Sequence, residues 1–177
     1  MKMSTFVLRI TLSHTITYFL AGLVAMSLLN YGELFSSGSL SYMRSTDSAW
    51  IAAGPALQII RGFFLGLILY PFRNVFIETK YGWLKFWLLI FGLTYLFTFA
   101  AAVGSFEGFI YTNYPISAHL LGLPEVFLYI SLFTAMLWAW YKKPVKAFTI
   151  ITVIATCIIM LLSMMGILVA TGVMDAG

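Results

Sequence analysis

Five long apolar runs divide this chain, separated by short segments where Gly, Ser, Pro, charges and aromatic residues gather. A helix crosses roughly 30 Å of hydrocarbon with about 20 mostly apolar residues, and each run is long enough to do so. The pattern predicts helices over 6–29, 48–70, 82–104, 116–141 and 145–173. Asp47 or Ser48 can cap the second, and Tyr70-Pro71 followed by Arg73, Glu78 and Lys80 ends it. Trp83, Lys85 and Trp87 open the third, while Trp138, Trp140 and Tyr141 with Lys142 and Lys143 close the fourth, the pairing of rings and lysine that a bilayer interface selects. The fold class is therefore all-α: a polytopic integral membrane protein built as one transmembrane domain over residues 1–177, a bundle of five transmembrane helices.

Two segments need a closer reading. The first run is longer than the roughly 7–15-residue apolar core of a signal peptide, and Leu29-Asn30-Tyr31 has no small-x-small cleavage site, so a retained helix is expected. The connection 105–115 has no Lys or Arg but carries Glu107, Tyr111 and Tyr114, and is expected to dip back toward the bilayer.

Composition agrees with this picture: 62% of residues are hydrophobic and 9% charged, against about 45–50% and 25% in soluble domains. No polar segment is long enough to fold as a separate domain, so the function lies within or at the bilayer. Cys157 is the single cysteine, which excludes an intramolecular disulfide and a cysteine-based metal site. The net charge of +4 does not indicate nucleic acid, because the basic residues fall at helix ends. Lys2, Arg9, Arg73, Lys80, Lys85, Lys142, Lys143 and Lys146 fall to one side of the alternating topology and only Arg44 to the other. Retention of Lys and Arg in the cytoplasm then predicts a cytoplasmic N-terminus and an outside C-terminus, in a cell membrane of bacterial inner-membrane type.

One basic residue remains. Arg61 lies inside the second run, about eleven residues or roughly 16 Å from its outer end, where an arginine costs about 2.5–3.5 kcal/mol on insertion scales. Glu125, roughly 14 Å deep in the fourth run, is the expected partner in a buried salt bridge. His14 reaches the same level from the first run. Gln58 lies three residues before Arg61 and Tyr129 four after Glu125, so each shares a helix face with its neighbour. Shallower, Glu107 and His119 are expected to meet in an outer mouth above Glu125. Pro55 and Pro124 are expected to kink their helices beside this cluster, and Gly62 with Gly66 to let helix two approach a neighbour. Cys157, Met160, Met164 and Met165 are read as lipid-facing or packing residues of a scaffold helix.

Intramembrane charges mark ligand or proton paths by default. The expectation is a membrane-embedded binding or transport protein with a midplane site for a small polar or anionic ligand, coupled to protons through Glu125 and the histidines. Its partners are the lipid bilayer and a homo-oligomer or membrane complex. The rival readings are an intramembrane enzyme using Glu/His acid–base chemistry on a lipid-like substrate, and an accessory subunit whose charges only staple helices together. Metalloprotease, serine-hydrolase and phosphate-loop motifs are absent, Glu107, His119 and Glu125 match no metal-ligand spacing, and no metal or cofactor is assigned.

Overall fold

The computed structural model describes residues 1–36 and 40–174, and all regular structure among them is helical. Helix α1 (Met3–Leu28) is followed by a short α2 (Tyr31–Ser36). Helix α3 (Ala49–Leu69) passes through a 3₁₀ turn at Tyr70–Phe72 into α4 (Arg73–Ile77), and α5 (Gly82–Phe91) runs into a π turn at Gly92–Leu96. Then come α6 (Phe106–Tyr111), α7 (Ile116–Leu121), α8 (Leu123–Lys142) and α9 (Lys146–Ala170). Among the described residues, four stretches are long and apolar enough to cross a membrane: Met3–Leu28, Ala49–Ile77, Ile116–Lys142 and Lys146–Ala170. These fit a multi-pass membrane protein.

The expected third helix is shorter than its apolar run. Gly92–Leu96 closes as a π turn, with the Phe97 N–H donating to the Gly92 carbonyl at 2.7 Å, and the chain leaves helical geometry at Phe97. Gly104 then takes a left-handed φ of 87°, and a Cβ there would stand 2.2 Å from the Tyr95 hydroxyl oxygen, so only glycine fits. The expected fourth helix is broken at Gly122 into α7 and α8. Pro124 sits in the first turn of α8 rather than inside a helix, where its missing N–H costs nothing. Pro55 does lie within α3, which begins at an N-cap where the Ser48 hydroxyl accepts from the Trp50 N–H.

Helix α1 is the centre of the bundle, packed against α3, α8 and α9, while α5 packs on α8 at the edge. Its contact with α3 runs through Gly62 and Gly66. A Cβ on Gly62 would come within 2.9 Å of the Thr11 Cα, and one on Gly66 within 3.0 Å of the Val7 Cα. The small-residue spacing read from the sequence is therefore a backbone-to-backbone approach. Thr11, Thr15 and Thr17, buried along α1, donate their hydroxyls to the carbonyls of Val7, Thr11 and Ser13 four residues back. They bring polarity into the core without demanding outside partners. Met160, Met164 and Met165 and Cys157 lie exposed on α9.

Cross-helix contacts show which ends lie together. Phe6 meets Tyr70 edge-on at 5.9 Å, an Arg9 guanidinium N–H donates to the Trp140 carbonyl at 3.3 Å, Phe76 meets Phe86 at 5.3 Å, and Trp140 meets Phe148 at 5.1 Å. The start of α1, the end of α3, the start of α5, the end of α8 and the start of α9 thus share one end, which carries eight of the ten basic residues. The hydrophobic core of Phe6, Ile10, Phe86, Ile130, Phe133 and Leu137 fills the half of the bundle beside that end.

Candidate functional site

The site grows from His14, midway along α1 and fully buried. Gln58 of α3 directs its amide N–H at the Gly54 carbonyl, 3.4 Å away, which leaves its side-chain oxygen facing His14 Nε2 at 3.1 Å. That oxygen only accepts, so Nε2 carries the proton, and Nδ1 of the neutral ring accepts from the Tyr129 hydroxyl of α8 at 2.6 Å. One imidazole therefore joins three helices. Tyr18, four residues on from His14, closes the same face, with its ring 6.0 Å from His14 and 5.8 Å from Tyr129.

Arg61 and Glu125 stand on either side of this centre. Arg61 follows Gln58 by one helical turn and is exposed. Its charge bears on His14, Tyr18 and Tyr129, and that of Glu125 on Tyr18. The expected Arg61–Glu125 salt bridge is corrected: no ion pair forms among the described residues. The reason is the position of α1. It lies between α3 and α8, so His14 and Tyr18 occupy the space across which the two charges would have met. Glu125 instead accepts a short hydrogen bond from the hydroxyl of Tyr31, at the start of α2. Burial and the Glu125 carboxylate push the Tyr31 phenol well above its usual pKa, so it remains a donor throughout the neutral range.

The expected outer mouth is assembled only in part. The connection after α5 does fold onto α7: the Gly104 N–H donates to His119 Nδ1 at 3.0 Å, and the rings of Phe109 and Tyr114 stand 6.0 and 6.2 Å from the imidazole. Glu107 makes no hydrogen bond to His119 among the described residues, and sits in the first turn of α6. His119 is thus a buried ring held by the backbone of Gly104 and by aromatic edges. No three His, Cys, Asp or Glu side chains gather in a metal-holding arrangement among the described residues.

Of the predicted residues, His14, Gln58 and Tyr129 are brought into direct contact, Arg61 and Glu125 flank them, and Glu107 and His119 stand apart. Tyr18 and Tyr31 were not foreseen. The i, i+4 spacing from His14 marks Tyr18, whereas nothing local marks Tyr31, which reaches Glu125 across 94 residues of sequence. On the basic side the site ends abruptly: Phe133 meets His14 edge-on at 5.8 Å, and Ile10 and Ile130 are fully buried in the apolar core. The polar groups therefore run from the middle of α1 toward the end opposite the lysines. No protein-family model, curated protein or solved structure matches this chain.

Proposed function

We propose that the junction of α1, α3 and α8 is a midplane site for a small anionic or polar ligand in a membrane binding or transport protein. The observation that carries this reading is Arg61. It lies at the level of His14, halfway along the apolar stretch Ala49–Ile77, exposed and with neither hydrogen bond nor ion pair among the described residues. A guanidinium stays charged at every physiological pH, and a cation at that depth calls for a compensating anion. A carboxylate-sized ligand would meet Arg61 beside the hydroxyl of Tyr18, with His14 neutral and held by Gln58 and Tyr129. Glu125 is the titratable acid of the site, on the side from which a ligand would arrive, and proton coupling would run through it. The rival enzyme reading, with Glu125 or Glu107 and His119 as general acid and base, has less support, because Glu107 makes no hydrogen bond to His119 among the described residues and the Gly104 N–H occupies His119 Nδ1.

The accompanying topology has five crossings, Gly82–Leu96 among them, with the lysine-rich end in the cytoplasm of a bacterial cell and the C-terminus outside. This follows from the gathering of basic residues at one end of the bundle. So small a bundle would work as a homo-oligomer or within a membrane complex.

The test is thermal unfolding of the purified protein in nanodiscs against a panel of small anions, including acetate, phosphate and sulfate. At least one is expected to stabilise, by about 2.7 kcal/mol at a hundredfold excess over its dissociation constant. Arg61→Gln is expected to abolish that gain while leaving the unliganded protein as stable as before. Loss of stability in Arg61→Gln with no response of the parent to any anion would identify Arg61 as a structural residue and sink the proposal.

A further inference from the structure

Away from the midplane cluster, α5 and α8 diverge around a groove of about 530 Å³, within the roughly 300–1,000 Å³ of ligand-sized pockets. Its walls are Trp83, Leu84 and Trp87 of α5 and Phe127, Thr134 and Trp138 of α8, with Ser131 and Ala135 between them. A polar link across it, from the Trp87 indole N–H to the Ser131 hydroxyl oxygen at 3.1 Å, satisfies the indole and leaves the groove apolar. From Phe127 to Trp138 it extends about 16 Å along α8. Ser131, Ala135, Trp138 and Lys142 follow the i, i+4, i+7, i+11 spacing of one helix face. The Lys142 ammonium rests 4.8 Å from the centre of the Trp138 ring, at the mouth of the groove.

We infer that this groove seats one hydrocarbon chain of an anionic phospholipid, with Lys142 holding the headgroup phosphate. An apolar channel of this length that ends on a cation matches an acyl chain ending in a phosphate. Lys143 and Lys146 reinforce the same field, and among the described residues Glu78 is the only acidic residue at that end of the bundle. The charge pattern also disfavours a second copy of this chain as the occupant, because a parallel neighbour would bring its own lysine-rich end against this one. The aromatic walls supply sequence-tolerant contact with methylene groups, and the lysine supplies selection among lipids.

The same indoles report on the groove. The full chain with Trp50→Phe, which removes the exposed indole at the opposite end, would be reconstituted in phosphatidylcholine vesicles containing either brominated phosphatidylglycerol or brominated phosphatidylcholine. Trp140 is buried and contributes an unquenched background. Brominated phosphatidylglycerol is expected to quench at about a fivefold lower mole fraction than the phosphatidylcholine quencher, the preference conferred by one lysine at a membrane surface. Lys142→Gln should remove the preference by removing the charge, and Ala135→Phe should remove it by filling the groove from an exposed position that leaves the core untouched. Equal quenching by both lipids in the parent would mean that bulk lipid alone covers the face. A preference that survives Ala135→Phe would mean that Lys142 attracts headgroups without a seated chain. Protection from both quenchers, with cross-linked dimers, would assign the face to a second copy. Each of these three results overturns the inference.

Discussion

A neutral imidazole buried in the middle of α1 has one donor and one acceptor to satisfy, and both partners come from other helices, Gln58 on α3 and Tyr129 on α8. Removing the ring orphans both. His14→Leu is expected to cost about 1–3 kcal/mol, the penalty of a buried polar group left without its bond. The double variant His14→Leu, Tyr129→Phe should recover part of the loss, because it removes one orphaned group along with its partner. Unfolding in mixed micelles with increasing sodium dodecyl sulfate would measure both. That His14, Gln58 and Tyr129 belong to one polar cluster was legible in the sequence, but helical periodicity put Gln58 on the face of Arg61 and Tyr129 on that of Glu125, whereas both bond to His14. The Arg61–Glu125 pair was misjudged because depth gives a level and not a neighbour: two charges at similar levels are kept apart when a third helix stands between them. Nor, among the described residues, do the other cations pair with carboxylates. Arg9, Arg44, Arg73, Lys80 and Lys142 rest instead on the rings of Trp140, Trp50, Tyr70, Tyr81 and Trp138, where a cation meets the negative face of the aromatic system.

The same limit appears among the helices. Apolar runs gave the positions of α1, α3 and α9, but not the breaks within the third and fourth runs, because a break depends on backbone geometry that hydrophobicity does not encode. Pro124 looks like a kink in a continuous run and is in fact the opening of α8, since Gly122 has already ended α7. The two possibilities respond differently to substitution. Pro124→Ala is expected to change stability by no more than about 0.5 kcal/mol, as for a position where no hydrogen bond is at stake. In the interior of a helix, by contrast, removing a proline restores a bond and straightens the axis. Unfolding of the variant beside its parent would decide between these. The π turn at Gly92–Leu96 was equally invisible in the sequence, and it is what turns Tyr95 toward α7, where its hydroxyl donates to the His119 carbonyl at 3.4 Å.

For the molecule as a whole, sequence and coordinates agree most closely on charge. Lysines and arginines scattered through the chain collect at one end of the bundle, and Arg44 lies in the connection leading into α3, where Tyr42 meets Tyr114 at 4.5 Å. In a Cys157→Ser background, cysteines replacing Lys2 and Lys143 should label from the cytoplasmic side of intact cells or vesicles, and one replacing Arg44 from the opposite side. Access to position 143 from outside would reverse or break the proposed topology. The helices themselves differ in length. At fifteen residues, Gly82–Leu96 rises only about 22 Å, well short of a hydrocarbon layer of roughly 30 Å. Where such a helix crosses, the bilayer must thin around it or the helix must draw polar anchors inward, at a cost that grows with each ångström of mismatch. The flank formed by α5 would therefore favour thin membranes over thick ones, and the thickness of the host bilayer would set how firmly that helix is held against α8.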